Sequence, residues 1–218
     1  MAARTTGWAA AGKPTGRARA VRAGRAGPAI FLMLGWVALL WLLEGVDFVT
    51  GGALDTFGIQ PRDPDELVDV VPAAFMHFGF GHLAANTVPL LVLGFLAALR
   101  TGVRRFLAVA LVITLTSGLG VWLTAPPDSN TAGASGVVFG LFGYLLIRGF
   151  IERKLLDIGI GLAVGALYGS ILWGALPTDS GISWQGHLFG LIGGVLAAFL
   201  LRARPRTTPP APTIRPIS

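Results

Sequence analysis

Apolar residues in this chain come in long runs, and the polar residues gather between the runs. The first run covers 28–49 and is uninterrupted from Ala29 to Leu43, with Glu44 and Asp47 at its far end. Further runs occupy roughly 83–99, 106–125, 135–147, 158–176 and 184–202. A helix needs about 20 apolar residues to cross a bilayer, so the second, fourth and sixth are short. The pattern predicts an all-α membrane protein, a bundle of six transmembrane helices. It shows no internal repeat and no symmetric pair of broken helices of the transporter kind.

The segments outside the runs divide the chain. Residues 1–27 are rich in Ala, Gly and Arg and contain no acid, which reads as a disordered basic tail. A transit peptide shares that composition. A nucleic-acid-binding arm lacks the folded basic module that should accompany it. The first run has no small-residue cleavage site and reads as a retained anchor. A core of 28–202 is expected, followed by a disordered Pro/Arg-rich tail over 203–218. The connection 50–76 carries Asp55, Asp63, Asp65, Glu66 and Asp69 against the single Arg62. Loops this long without clear helices are often functional.

Composition agrees with the membrane reading: 53% of residues are hydrophobic and 13% charged, against about a quarter charged in soluble domains. The net charge of +6 suggests nucleic acid until its placement is considered. With the N-terminus inside, all but one of the 17 Lys and Arg fall on the inner segments, and Arg62 alone lies outside. Of the 11 acids only Glu152 and Asp157 fall inside. This is the positive-inside distribution, so the charge is mostly an orientation signal. It places both termini in the cytoplasm, and the Ala/Gly/Arg-heavy tails suggest a GC-rich bacterial source, with the protein in the cell membrane. There is no cysteine, which removes thiol catalysis and thiolate metal sites. No cofactor and no metal are expected.

The candidate chemistry sits on the outer side. His77 and His82 precede and open the second span, with Asn86 one turn further on. Ser135 opens the fourth, after Gly133 and Ala134, and His187 opens the sixth. Strongly polar groups at membrane depth are costly and usually face a bundle interior or a water-filled cavity. Ser135 lies 13 residues from Arg148, about 20 Å at helical rise. In a hydrocarbon core about 30 Å thick, that leaves Ser135 on the order of 10 Å below the outer surface, in a cavity open outward. Ser135 can then be a packing hydroxyl or a nucleophile, and a nucleophile needs a base, for which His187 is the candidate. No carboxylate lies in the interior of the spans to complete a triad, so a Ser–His dyad is the natural reading. Phe139, one turn after Ser135, is placed to stack on the imidazole. His82 and Asn86 share a helix face and could join the Ser135 N–H around an oxyanion. Alone, Asn86 reads as an interhelical hydrogen-bonding group and His77 as a loop cap. Gly136, Gly140, Gly190 and Gly194 read as small-residue contacts that let spans four and six approach closely. Ser117 and Ser170 read as packing hydroxyls.

The motifs His77-x4-His82-x3-Asn86, Gly133-Ala134-Ser135-Gly136 and Gly186-His187-x2-Gly190-x3-Gly194 stand on spans two, four and six. In that order they resemble the signature of the rhomboid intramembrane serine proteases, and the resemblance covers all six spans. It implies the six-helix rhomboid bundle, with Ser135 as nucleophile and His187 as general base. It also implies His82 and Asn86 as oxyanion stabilisers, and single-span membrane proteins in the lipid bilayer as substrates. His77 matches a family histidine with a less direct role. Two departures stand out. Phe139 takes the place of a frequent tyrosine, and Leu67-Val68-Asp69-Val70-Val71-Pro72 occupies the first-loop region where a Trp-Arg pair is common. The other readings are a catalytically silent binder of transmembrane helices, and a small channel or transporter. Span five and the loop 177–183 are the candidates for a gating element on topology.

Overall fold

A computed structural model describes residues 16–177 and 182–202 of the chain. Among the described residues six α-helices follow one another: α1 (Gly16–Thr50), α2 (Phe80–Thr101), α3 (Val103–Thr124), α4 (Ser135–Glu152), α5 (Leu155–Tyr168) and α6 (Trp184–Leu200). The 3-10 segment Gly169–Ala175 continues α5. Five of these units are long and apolar enough to cross a membrane, and α6 is a shorter apolar helix. Large side chains such as Phe31, Leu42, Val49, Leu162, Leu167 and Leu200 are exposed around the bundle. Apolar surface on this scale is stable only against lipid, and the chain is an integral multi-pass membrane protein.

The helix order matches the expected spans, and the boundaries differ for physical reasons. α1 starts at Gly16, not at Pro28, because the Ala/Arg-rich stretch before the proline is itself a good helix former. Residues 1–15 and 203–218, read as tails, lie outside the described residues. α4 runs past Ile147 to Glu152 because Arg148 is buried among partners and continues the helix. The 50–76 connection is not without helices: Asp55–Phe57, Asp65–Val70 and Pro72–Phe75 form 3-10 turns.

α4 is the central helix, with 67% of its apolar stretch buried, against 22% in α1 and 17% in α5. It packs on α6, α5, α2 and α3. Leu83 and Leu90 of α2, Phe106 and Ile113 of α3, and Leu141, Phe142 and Tyr144 of α4 form the core, each fully buried or nearly so. The α4–α6 contact is made by glycines. A methyl on Gly190 would stand 3.0 Å from the Gly136 Cα, and one on Gly194 would stand 2.9 Å from the Tyr144 nitrogen. Backbone thus meets backbone, which brings the first turns of α4 and α6 side by side.

Candidate active site

A cavity of about 750 Å³ opens at the end of the bundle where α2, α4 and α6 begin. Ser135, His187, His82, Gly133 and Ser117 line it. Among the described residues no carboxylate lines it, and no group of three or more His, Asp or Glu is placed to hold a metal ion.

Ser135 is the first residue of α4, preceded by Ala134, whose side chain provides no cap. The first N–H groups of a helix have no intrahelical acceptor and carry its positive dipole end. His77 supplies one missing partner: its Nε2 accepts the Ala134 N–H at 3.2 Å. His77 itself is 2% exposed. Burial, and then the neighbouring His82, push its pKa down to about 4, which keeps the ring neutral and able to accept. The ring also packs edge-on against His82, with centroids 5.2 Å apart. Gly133 takes φ +135°, and a methyl there would sit 2.7 Å from His82 Cε1. Glycine is therefore required twice at this position, by its backbone and by the ring against it. The Gly133 N–H is tied to the Ala73 carbonyl at 2.8 Å.

His187 stands in the first turn of α6, which Ser183 caps by accepting the Gly186 N–H at 3.2 Å. Its imidazole lies flat on Phe139, with centroids 4.0 Å apart and planes 7° from parallel. Its Nδ1 lies 2.8 Å from the Gly174 carbonyl. A ring that donates Nδ1–H to a carbonyl carries its lone pair on Nε2. Among the described residues no hydrogen bond joins Ser135 Oγ to His187. The two share the cavity wall, and catalytic hydrogen bonds often tighten only when substrate is present. Asn86 is placed differently from the expectation: its amide donates to the His82 carbonyl at 3.1 Å, on its own helix, and it is absent from the described cavity lining.

Three contributors were not visible in the sequence. The Gly174 carbonyl is a backbone group, which no side-chain motif can announce. Ser117 is more than a packing hydroxyl: it donates to the Gly186 carbonyl at 2.8 Å and so ties α3 to the first turn of α6. Its spacing from Gly118 and Gly120 is the signal of a close helix contact. The first loop docks through an arginine and a tryptophan from different elements. Arg62 donates to the Ala125 carbonyl at 2.9 Å, and Trp122 Nε1 donates to the Asp63 carbonyl at 2.7 Å. Ile59 pairs with Thr131 beside them, which fastens this loop to the one that leads into Ser135.

Fold and site together define a polytopic helical membrane protein with a serine and a histidine facing one cavity. The rhomboid domain model matches residues 64–204. The chain is 46% identical over 182 residues to an uncharacterized protein of Mycobacterium tuberculosis, a match covering 80% of this chain and 75% of that one. It is 35% identical over 173 residues to the rhomboid protease GluP of Bacillus subtilis, covering 76% of this chain and 33% of that one. To the rhomboid protease GlpG of Yersinia enterocolitica it is 30% identical over 183 residues, 80% of this chain and 63% of that one. The chain belongs to the rhomboid family.

Proposed function

We propose that this protein is an intramembrane serine endopeptidase that cleaves single-span membrane proteins near the outer end of their transmembrane helices. The observation that carries the reading is the fixed imidazole of His187, stacked on Phe139 in the cavity that Ser135 opens onto. In the proposed reaction Ser135 Oγ attacks the scissile carbonyl while His187 Nε2 takes its proton. The tetrahedral oxyanion is met by the Ser135 N–H and the His82 ring, with Asn86 joining once its amide turns from the His82 carbonyl. Collapse breaks the C–N bond, and the His187 proton passes to the leaving amine. Water, deprotonated by His187, then hydrolyses the acyl-enzyme. Substrates with small or helix-weakening residues near the cut suit this site, because an intact helix hides its carbonyls.

The charge pattern supports cytoplasmic termini and a cavity open to the outer side, and the Ala/Gly/Arg-heavy ends of the chain support residence in a bacterial cell membrane. The test is labelling by a serine-directed fluorophosphonate, followed by cleavage of a panel of labelled single-span substrates. Labelling of the parent and none of Ser135→Ala is the expected result. Labelling that persists in Ser135→Ala, or undiminished cleavage by His187→Ala, sinks the assignment. Substrate capture without turnover by the parent would make it a silent helix binder.

A further inference from the structure

The base of the dyad is held by an element that carries neither of its members. Gly174 belongs to the 3-10 continuation of α5, whereas Ser135 and Phe139 are on α4 and His187 is on α6. Besides the 2.8 Å approach of its carbonyl to Nδ1, Gly174 walls both stacked rings. A methyl there would stand 3.2 Å from His187 Nδ1 and 3.2 Å from Phe139 Cζ. The imidazole is thus fixed on its face by Phe139 and at its edge by Gly174.

α5 is also tied to its neighbours away from the cavity. At the far end from the cavity, Asp157 is buried and pairs with Arg100 of α2 at 2.5 Å. There Gly149 of α4 meets α5 backbone, with a methyl only 2.5 Å from the Asp157 carbonyl carbon. A methyl on Gly161 would likewise stand 2.9 Å from the Leu145 carbonyl oxygen. Its outer face is open at both ends: Gly159 and Gly169 have nothing within 4 Å of an added methyl, and Leu155, Leu167 and Trp173 are exposed. From Asp157 to Gly174 the lever is about 28 Å long by helical and 3-10 rise. A tilt of about 3° about the Asp157 end then moves Gly174 by about 1.5 Å, enough to break its hydrogen bond.

We propose that the Gly174 carbonyl is the positioning group for His187, and that the position of α5 thereby sets whether His187 can serve as base. The proposal rests on the protease reading and deepens it.

The experiment weakens the acceptor without touching a side chain. Ala175 is exchanged for lactic acid by nonsense suppression, so that the Gly174 carbonyl becomes that of an ester, a poorer acceptor. The control places the ester one linkage later, between Ala175 and Leu176, which leaves the Gly174 carbonyl an amide. Two readouts are taken: the rate of fluorophosphonate labelling of Ser135, and the Nδ1 proton resonance of His187 in protein labelled with ¹⁵N-histidine. Labelling about tenfold slower, with an upfield move of that resonance in the first ester alone, is the expected result. Gly174→Ala, whose methyl crowds both rings, should slow labelling as well and move the same resonance. A labelled parent whose rate and resonance are unchanged in the first ester overturns this proposal and leaves the protease reading standing. A parent without Ser135-dependent labelling overturns both.

Discussion

The two ends of the bundle hold their polar groups by opposite means. At the cavity end no ion pair joins the described groups, and their partners are mostly backbone: His77 takes the Ala134 N–H, His187 faces the Gly174 carbonyl and Ser117 holds the Gly186 carbonyl. At the other end six of the described side chains form a charge network, Arg105 reaching Glu152 at 3.9 Å from its edge. Arg100 and Arg148 approach Asp157 at 2.5 and 3.8 Å, Arg148 meets Glu152 at 3.2 Å, and Lys154 closes on Glu152 from the surface. Arg148 and Asp157 are each 3% exposed. A buried ion network locks helices in one arrangement, and removing one partner strands the others. Backbone-held rings keep a fixed geometry with no ion pair beside them, an arrangement suited to charge that develops during a reaction. One end clamps; the other is poised.

The largest effect that would sharpen this contrast belongs to the poised end. His187→Ala should lower fluorophosphonate labelling of Ser135 by about 10³-fold or more while leaving the thermal unfolding midpoint in detergent nearly unchanged. A large fall in that midpoint would show that the imidazole is there for packing.

At the clamped end the expectation reverses. Asp157→Ala should cost about 3–5 kcal/mol of stability, because Arg100 and Arg148 lose their buried partner. Equilibrium unfolding in mixed micelles measures it. A loss no larger than that of an exposed substitution breaks the contrast.

The third prediction uses pH. His77 is held at about 4 when folded, against about 6.5 when unfolded. Its folded value is depressed, so its neutral burial is without penalty above about 6.5. Stability is then lost as pH falls from about 6.5 towards 4, by about 3 kcal/mol in all. His77→Gln should flatten that slope in a series of unfolding curves. An unchanged slope would mean that other groups carry it.

Two smaller effects complete the series. Arg62→Ala should cost about 1 kcal/mol by releasing the first loop from the end of α3, read as faster proteolysis within 50–76. Lys154→Ala should cost less than about 0.5 kcal/mol, since its side chain is 48% exposed. A larger loss at Lys154 than at Asp157 would invert the picture of a clamp that is buried.

Much of the fold was legible because a membrane makes apolar length informative. Runs of apolar residues had to become helices, since no other regular open structure satisfies its backbone in lipid. Their order and number follow directly. The site was legible in part for the same reason: Ser135, His82 and His187 stand at the heads of even-numbered helices, and antiparallel neighbours bring such heads to one end. Other features were hidden. Arg148 read as a helix boundary, yet the helix continues because a charge with buried partners no longer needs the surface. The loop 50–76 read as a loop without helices, yet its 3-10 turns depend on docking partners, Trp122 and Thr131, far along the chain. Asn86 read as aimed at the reacting atoms, but a helix face does not dictate a rotamer. Its amide found the His82 carbonyl one turn back.

The sequence by itself determined which residue types stand at the head of each helix, how many helices there are and which glycines can let two of them touch. These are one-dimensional properties, set by apolar length, charge and side-chain size. Only the tertiary structure decided that His187 lies flat on Phe139, that the Gly174 carbonyl faces its Nδ1, and that Asp157 pins the helix carrying that carbonyl. Such contacts depend on ångström distances between backbone and side chains remote in sequence, and every residue's carbonyl looks alike until packing selects one.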